Sequence, residues 1–321
     1  MGAGRFFGSR QPLCPEAGSR ERIRVIFGLT LIQVFFGIHY LAGKLVMREI
    51  PPRAWAAIRV IGAALLLLAV ARSLGRRFPR APRDLALLAL FSFFGVAVNQ
   101  VCFVEGLSRT TAIHSAIINT LIPAWTLFFA VLLGRESPTM RKTASLILAV
   151  AGVILVIRPE RATLSPTTFV GDLLTMLNSM SYSFFLVVSK RTMQRVDALA
   201  ATALMFAFGA VPIVLFGASA LVRFDFASVT AGAWLWAAFI VAFPTAGAYV
   251  LISWTLARAE ASLVALFVYM QPVIATILGI AFQHEKLTLR TVAGALLIFA
   301  GVYLALRLPG LPGLRRAAPA S

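Results

Sequence analysis

The side chains that could bind a solute in this sequence are amides, hydroxyls and one histidine that interrupt long apolar stretches. Within a stretch they recur at the spacing of one helix face, as Asn178 and Tyr182 do. Because lipid penalises polar groups, such faces are expected to border protein or water. The sequence therefore predicts a solute-binding cavity lined by Gln33, His39, Asn99, Gln100, Ser115, Asn119, Asn178, Tyr182, Tyr249, Ser253, Tyr269 and Gln271.

A packing role is the alternative for each of these residues. A serine or threonine can bond to its own helix backbone, and an amide can join two helices. Packing is therefore the favoured interpretation for any single serine or threonine. An amide is costlier to bury, so for Asn99, Gln100, Asn119 and Gln271 the two roles are weighed about equally.

The ionisable residues inside apolar stretches are few. His39 could bind a substrate carboxylate or carry a proton, or it could be a buried imidazole with no further role. Arg59 could extend to the headgroups or pair with a carboxylate. Structural roles are favoured for His114, Glu105 and Asp172, the last because a carboxylate complements a helix amino terminus.

An intramembrane enzyme would need a nucleophile with a base, or clustered metal ligands, on neighbouring spans. His39 and His114 have no acid near them in mid-span. The sequence predicts no catalytic residue, no metal site and no cofactor, and it leaves proton coupling open. It contains no nucleotide-binding loop, so ATP is not expected to drive it.

Long apolar helices must position these side chains. Of the 321 residues, 60% are hydrophobic and 13% are charged, and the mean hydropathy is +0.87. Crossing the bilayer takes roughly 20 apolar residues. The sequence predicts an all-α integral membrane protein with ten transmembrane helices, at about 24–46, 54–74, 84–104, 110–133, 140–158, 167–189, 198–221, 230–254, 259–282 and 289–307. The first, third, fourth, sixth, eighth and ninth carry the polar faces, and the other four are expected to support them from outside.

The charge balance predicts orientation. The formal net charge is +18, and the arginines lie in short gaps between apolar stretches, which excludes a nucleic-acid binder. Their excess on one side predicts that both termini are cytoplasmic. Residues 1–23 form a basic leader and residues 308–321 a tail, and both are predicted to be disordered.

An internal repeat divides the chain. Residues 107–158 align without a gap on 256–307, with Arg109/Arg258, Pro123/Pro272, Glu136/Glu285, Thr139/Thr288 and Ala151–Val153/Ala300–Val302 among the identical pairs. The repeat predicts five helices in 24–158 and five in 159–307. An odd number inverts the second half relative to the first, as in alternating-access transporters.

Two features of the repeat suggest further roles. Pro123 and Pro272 are predicted to kink paired helices and so to bend the gates, with simple packing as the alternative. Ser145 and Gly152, like Gly294 and Gly301, place small residues on one face. That spacing predicts close packing and leaves open a homodimer contact.

Several motifs recur in one known family. They are Gly95–Ala112, Pro123, Gly134–Glu136 and Ala151–Val153, their second-half counterparts Pro272, Glu285, Thr288 and Ala300–Val302, and an opening of Phe36–Gly37, Ala42–Lys44, Pro51–Pro52 and Arg59. In these motifs the chain resembles the EamA family of the drug/metabolite transporter superfamily. The resemblance implies ten helices, the same six cavity-lining spans, and transport of small metabolites such as amino acids or amphipathic compounds across the bacterial plasma membrane. Phe36 and His39 depart from the family's pattern.

The function predicted from these features is secondary active transport of small organic metabolites by alternating access, in the direction of export. Few buried acids and no paired cations favour neutral, zwitterionic or amphipathic solutes. The expected partners are the lipid bilayer and the solute, with no nucleic acid. A channel or a membrane scaffold is the alternative, and an intramembrane enzyme is a weaker one.

Overall fold

The computed structural model describes residues 19–135, 139–157, 166–259, 261–283 and 289–306. The tail 308–321, most of the leader 1–23, and the paired residues Glu136 and Glu285 lie outside the described residues, as does the side chain of His114. All regular structure in the described ranges is helical, with no strand, as the sequence predicts.

The described residues of the first part form seven α-helices and two irregular helical segments. They are α1 (Ser19–Val46), α2 (Pro52–Ser73), α3 (Pro82–Ser92), a π-helical segment (Phe93–Val98), α4 (Asn99–Arg109), α5 (Ala112–Ile118), a 3-10 turn (Asn119–Leu121), α6 (Ile122–Leu132) and α7 (Met140–Ile157). Pro52 and Pro82 begin their helices, where a missing N–H costs nothing. Gly75 and Gly134 follow α2 and α6 with φ near +60°, a conformation that favours glycine.

The second part repeats this plan. It comprises α8 (Pro166–Met193), α9 (Ala198–Arg223), a 3-10 turn (Phe226–Ser228), α10 (Ala231–Ile240), a π-helical segment (Val241–Gly247), α11 (Ala248–Leu256), α12 (Ala261–Leu266), a 3-10 turn (Phe267–Met270), α13 (Gln271–Gln283) and α14 (Leu289–Leu306). The Asp197 carboxylate caps α9 by accepting from the Ala200 N–H at 2.9 Å. Thr230 caps α10 in the same way.

The irregular segments recur at corresponding places. A shift of 147 residues takes Ser19–Val46 onto Pro166–Met193, and both helices have 28 residues. A shift of 149 takes Met140–Ile157 onto Leu289–Leu306. Between these limits, each part has one π-helical segment followed by one 3-10 turn. The repeat seen in the sequence thus extends to the local backbone geometry.

By length and apolarity, seven of the described helical stretches could cross a membrane: 23–46, 52–73, 82–109, 115–132, 198–223, 231–256 and 261–278. The prediction of ten spans exceeds this number. The helix α8 is long enough but carries Asn178, Ser179, Ser181 and Ser183 in its middle. The helices α7 and α14 each have 18 residues.

Helices of the two parts pack against each other. The helix α2 runs along α9, α1 along α13, and α8 along α4 and α6. A Cβ atom on Gly37 would lie 2.5 Å from the side chain of Ile274, so α1 and α13 approach closely only because residue 37 is glycine.

The small residues of α7 and α14 are buried within one chain. The two helices pack along each other, and Ser145, Gly152, Gly294 and Gly301 are all buried. The close packing predicted from their spacing is thus present inside the molecule. A dimer contact on these faces stays an untested prediction.

Candidate functional site

A cavity lies between the two parts of the chain. It encloses about 440 Å³ of empty space, including the part open to its surroundings. The described residues that line it are Phe36, His39, Tyr40, Arg59, Asn99, Gln100, Phe103, Asn119, Ile122, Asn178, Tyr182, Tyr249 and Gln271. A cavity with aromatic walls and a few convergent polar groups is typical of small-molecule sites.

One hydrogen-bond network joins α1 to the irregular turns of both parts. The Asn119 amide donates to the Tyr40 hydroxyl at 2.8 Å, and that hydroxyl donates to Gln271 Oε1 at 2.8 Å. The Gln271 amide in turn donates to Gln33 Oε1 at 2.7 Å. Asn119 begins one 3-10 turn, and Gln271 directly follows the other.

A second network joins α4, α8 and α11. The Gln100 amide donates to the Tyr249 hydroxyl at 3.0 Å. The single proton of that hydroxyl can be donated either to Asn99 Oδ1 at 2.8 Å or to the Gly95 carbonyl at 3.0 Å. Asn178 donates to the Asn99 carbonyl at 2.9 Å.

The π-helical segments explain why these bonds can form. A π turn leaves backbone carbonyls outside the regular i→i−4 pattern. In the first π-helical segment the Phe94 carbonyl accepts from Ser181 at 2.7 Å, and the Gly95 carbonyl accepts from Tyr249. Local irregularity of the backbone therefore supplies acceptors beside the cavity.

The third polar group of the cavity is a buried cation. Arg59 Nη1 donates to His39 Nε2 at 2.8 Å, and the guanidinium carbon lies 5.6 Å from the centre of the Phe103 ring. Arg59 is 2% exposed and His39 is 4% exposed. Sequence reasoning assigned Arg59 to the headgroups or to a carboxylate and its helix to a supporting role. The structure instead directs it inward from α2, against a histidine.

Most of the predicted site residues line the cavity. They are His39, Asn99, Gln100, Asn119, Asn178, Tyr182, Tyr249 and Gln271. A role in binding solute stays a prediction for each of them.

Four predicted residues lie elsewhere. Gln33 accepts a hydrogen bond from Gln271 and does not itself line the cavity. The Ser253 hydroxyl lies 2.7 Å from Thr202 Oγ1, between α11 and α9. Ser115 and Tyr269 are buried, and within the described ranges their hydroxyls have no hydrogen-bond partner. Sharing a helix face with a cavity residue was not sufficient, because that face also contacts neighbouring helices along its length.

The lining residues that sequence reasoning missed are Phe36, Tyr40, Arg59, Phe103 and Ile122. Tyr40 shares a helix face with Gln33, and Arg59 is an isolated charge in an apolar span, so both had a signal. The remaining three are apolar and resemble any other lipid-facing or core residue.

Pro123 and Pro272 are the second residues of α6 and α13, just after the 3-10 turns Asn119–Leu121 and Phe267–Met270. Each proline thus lies where the α-helix resumes within one helical stretch, 115–132 or 261–278, and the kink predicted there stays a prediction. A gating role for them stays a prediction. The second π-helical segment also contains Pro244, which the sequence analysis did not single out.

Ionic contacts lie near one end of the first part. Glu105 accepts from Arg53 Nε at 3.2 Å and pairs with Arg109, one turn later on the same helix. The Thr110 hydroxyl donates to Asp172 Oδ1 at 2.7 Å. The backbone carbonyl of Thr110 accepts from the Lys44 ammonium. The structural roles favoured for Glu105 and Asp172 agree with these contacts.

The chain is similar over nearly its whole length to a family of transporters. The sequence model of the EamA-like transporter family matches it twice, at residues 23–158 and 169–307. An uncharacterized transporter of Archaeoglobus fulgidus is 26% identical over 279 residues, which are 87% of this chain and 97% of that protein. The uncharacterized transporter YoaV of Bacillus subtilis is 23% identical over 88% of this chain and 96% of its own.

The fold is shared with solved structures. A crystal structure of a protein superposes with a TM-score of 0.68 over 90% of this chain and 97% of that one, at 15% sequence identity. Among the described residues, no group of three His, Cys, Asp or Glu side chains is placed to hold a metal ion.

Proposed function

Because this chain belongs to the EamA-like transporter family, we propose that it is a secondary carrier that moves small organic solutes through the membrane by alternating access. The cavity between the two parts is the observation that carries this proposal. Its lining comes from both family-matched segments, and each contributes buried amides and tyrosines. A solute held there could be released to either side by rocking one part against the other.

Alternating access needs places where helices can bend. In the described ranges, each part contains one π-helical segment followed by one 3-10 turn, and residues in or next to these segments contact the cavity. Irregular turns have weaker internal hydrogen bonding than a continuous α-helix, so they are natural hinges. We assign the bending of the helices during transport to these paired segments. Pro123 and Pro272 mark where the α-helix resumes after each 3-10 turn.

The membrane arrangement in this proposal has ten spans. The seven apolar stretches and the helices α7, α8 and α14 together make the ten spans. The helix α8 carries a polar face that borders the cavity. Five spans in each half invert the repeats, and the excess of arginine on one side orients both termini to the cytoplasm of a bacterial plasma membrane. Export is the direction proposed from the family resemblance.

Transport in proteoliposomes tests the proposal. Purified protein is reconstituted and assayed with amino acids, nucleosides and cationic dyes, with and without a proton gradient. A carrier is expected to show saturable uptake that unlabelled solute on the opposite side accelerates, because the loaded site returns faster than the empty one. Flux that neither saturates nor responds to solute on the opposite side would indicate a channel instead.

The cavity assignment has its own test. Asn119→Leu and Gln271→Leu remove the amides on either side of Tyr40 and are expected to abolish transport while leaving membrane insertion normal. Ser228→Ala, on an exposed turn, is the control. Parental rates for every solute in both amide variants would contradict the assignment.

A further inference from the structure

We propose that Arg59, held in place by His39, is the anchor for a carboxylate of the transported solute, so that the carrier's substrates are small organic molecules with one carboxylate group. This inference rests on the proposed function, because it names the substrate class of the same cavity.

Arg59 is a buried cation without a counter-ion in the described part of the chain. It is 2% exposed, and the residues that line the cavity with it include no Asp or Glu. The ion pairs described elsewhere join Arg53 and Arg109 to Glu105, and other arginines to surface acids. An arginine stays protonated in proteins, and an unpaired buried charge is costly. A bound anion would remove that cost.

The contact with His39 does not neutralise this charge. A guanidinium can only donate hydrogen bonds, so His39 Nε2 must be the ring nitrogen without a proton. His39 is therefore neutral in this arrangement, with its proton on Nδ1. It orients the guanidinium through one N–H group and leaves the positive charge in the cavity.

Donors remain on Arg59 for a ligand. The guanidinium has five N–H groups, and the described contacts use one nitrogen, Nη1, while the buried Nε has no hydrogen-bond partner in the described ranges. The planar fork of arginine matches a carboxylate in a bidentate pair. The Phe103 ring centre lies 5.6 Å from the guanidinium carbon, within the distance of a cation–π contact.

The fold itself does not require this pair. Under the shift of 147 residues that relates α1 to α8, His39 corresponds to Leu186 and Arg59 to Phe206. Both of these residues are fully buried in the second part. The same helical plan thus packs with apolar side chains at the corresponding positions, so a structural need does not account for a buried arginine and histidine in the first part.

The remaining lining limits the solute to one such group. Arg59 is the single Lys or Arg among the described lining residues, so a dianion would bring a second charge without a partner. The aromatic side chains of Phe36, Tyr40, Phe103 and Tyr249 form apolar walls around the polar groups. These walls favour a carboxylate attached to an apolar or aromatic body.

The test compares probes of one shape and different charge. Binding of phenylacetate, phenylacetamide and phenethylamine to the purified full chain is measured by calorimetry, with phenylalanine and hexanoate as further carboxylates. Phenylacetate is expected to bind at least tenfold more tightly than the amide or the amine. Failure of every carboxylate to bind, or equal binding of the amide or amine, would overturn the inference without any variant being needed.

Variants locate the anchor. Arg59→Gln is expected to weaken carboxylate binding at least tenfold, and Arg59→Lys to weaken it less, because lysine keeps the charge but loses the bidentate fork. Arg76→Gln, which removes an exposed arginine paired with Asp197, is expected to bind as the parent does. Parental affinity in a folded Arg59→Gln protein would overturn the assignment to Arg59.

The two proposals fail in different ways. If proteoliposomes take up amines or neutral solutes saturably and Arg59→Gln does not change that uptake, the carboxylate anchor is wrong and the carrier stands. If carboxylates bind but flux never saturates, the anchor stands and the carrier is wrong.

Discussion

The two family-matched segments use one helical plan but treat the cavity differently. The first segment supplies the buried Arg59 and its neutral partner His39, whereas the second has Phe206 and Leu186 at the corresponding positions. Amides and tyrosines come from both. The difference indicates that duplication provides the scaffold and its hinges, while charge recognition belongs to one segment only.

The same contrast recurs at the ends of α4 and α11. Arg109 and Arg258 are related by the shift of 149 residues, and so are Glu105 and Trp254. Arg109 pairs with the Glu105 carboxylate, whereas Arg258 lies 4.3 Å from the centre of the Trp254 ring. The arginine repeated in the two halves thus pairs with a carboxylate of its own helix in the first half, whereas in the second it lies over the Trp254 ring and pairs with Glu21 of α1 at 3.4 Å.

The largest expected effect comes from forcing the second segment to resemble the first. Phe206→Arg would bury a cation against Tyr249, and the buried acid of the described ranges, Glu105, already pairs with Arg53 and Arg109. A loss of about 4 kcal/mol in unfolding free energy is expected, since an uncompensated buried charge costs that much. The measurement is unfolding in detergent, with Phe206→Met as the size-matched control. Equal losses in both variants would show that shape and not charge matters there.

The reverse exchange makes the first segment resemble the second. The double variant Arg59→Met/His39→Leu is expected to fold with unchanged or higher stability, because well-packed apolar residues often replace buried charges without loss. Carboxylate affinity is expected to fall on the order of 100-fold, or about 3 kcal/mol for a lost buried charge pair. Unfolding and calorimetry on the same sample separate the two outcomes. A large loss of unfolding free energy in the double variant would mean that Arg59 and His39 stabilise the fold.

The tyrosines that join the networks give a smaller effect of similar size in both segments. Tyr40→Phe leaves two amides without their bond, and Tyr249→Phe does the same to Gln100 and Asn99. Each is expected to lose about 2 kcal/mol in unfolding free energy. The two networks share no bonded residue, so the losses should add within about 0.5 kcal/mol.

Tyr269→Phe is the control for both. This tyrosine is buried, and its hydroxyl has no partner in the described part of the chain. Its removal is expected to leave the unfolding free energy nearly unchanged. A loss as large as that of Tyr40→Phe would show that hydroxyl removal alone explains the effect.

The smallest effect concerns the two arginines at the helix ends. Double-mutant cycles of Glu105→Gln with Arg109→Gln, and of Trp254→Leu with Arg258→Gln, are expected to give coupling energies of about 0.5 kcal/mol each. Raising the salt concentration should reduce the first coupling more, because ion pairs near a surface are screened. Equal salt dependence in both cycles would remove the distinction drawn between the two ends.

Sequence reasoning recovered part of the site for a physical reason. Asn99, Asn119 and Gln271 were identified because a buried amide needs a hydrogen-bond partner wherever it lies. An amide within an apolar stretch can therefore be recognised from the sequence alone. Ser115 shares a helix face with Asn119, and Ser253 shares one with Tyr249, but these serines lie outside the cavity lining, and Ser253 contacts Thr202 of α9. The sequence left Arg59 between the headgroups and a carboxylate partner, because the position of a charge along a helix does not reveal which way its side chain points.

The π-helical segments account for another part of what was missed. Each π turn adds a residue to the turn, which rotates the following helix face by about 100° relative to a regular helix. In the stretch 82–109, Ser92 before the segment donates to Met205 O on α9, while Asn99 and Gln100 after it line the cavity. A helix face with a regular period of 3.6 residues would put Ser92 and Asn99 on the same side, whereas in the structure Ser92 faces α9 and Asn99 faces the cavity.

The sequence by itself determined that this chain is helical, apolar and duplicated, and that it belongs among membrane transporters, because hydropathy and repeated motifs are properties of local stretches. Only the tertiary structure decided which side chains share the cavity, since that depends on how helices distant in sequence are rotated and packed. Arg59 and His39 show the difference: each was an isolated polar residue in its own helix, and only the tertiary structure places their nitrogens 2.8 Å apart.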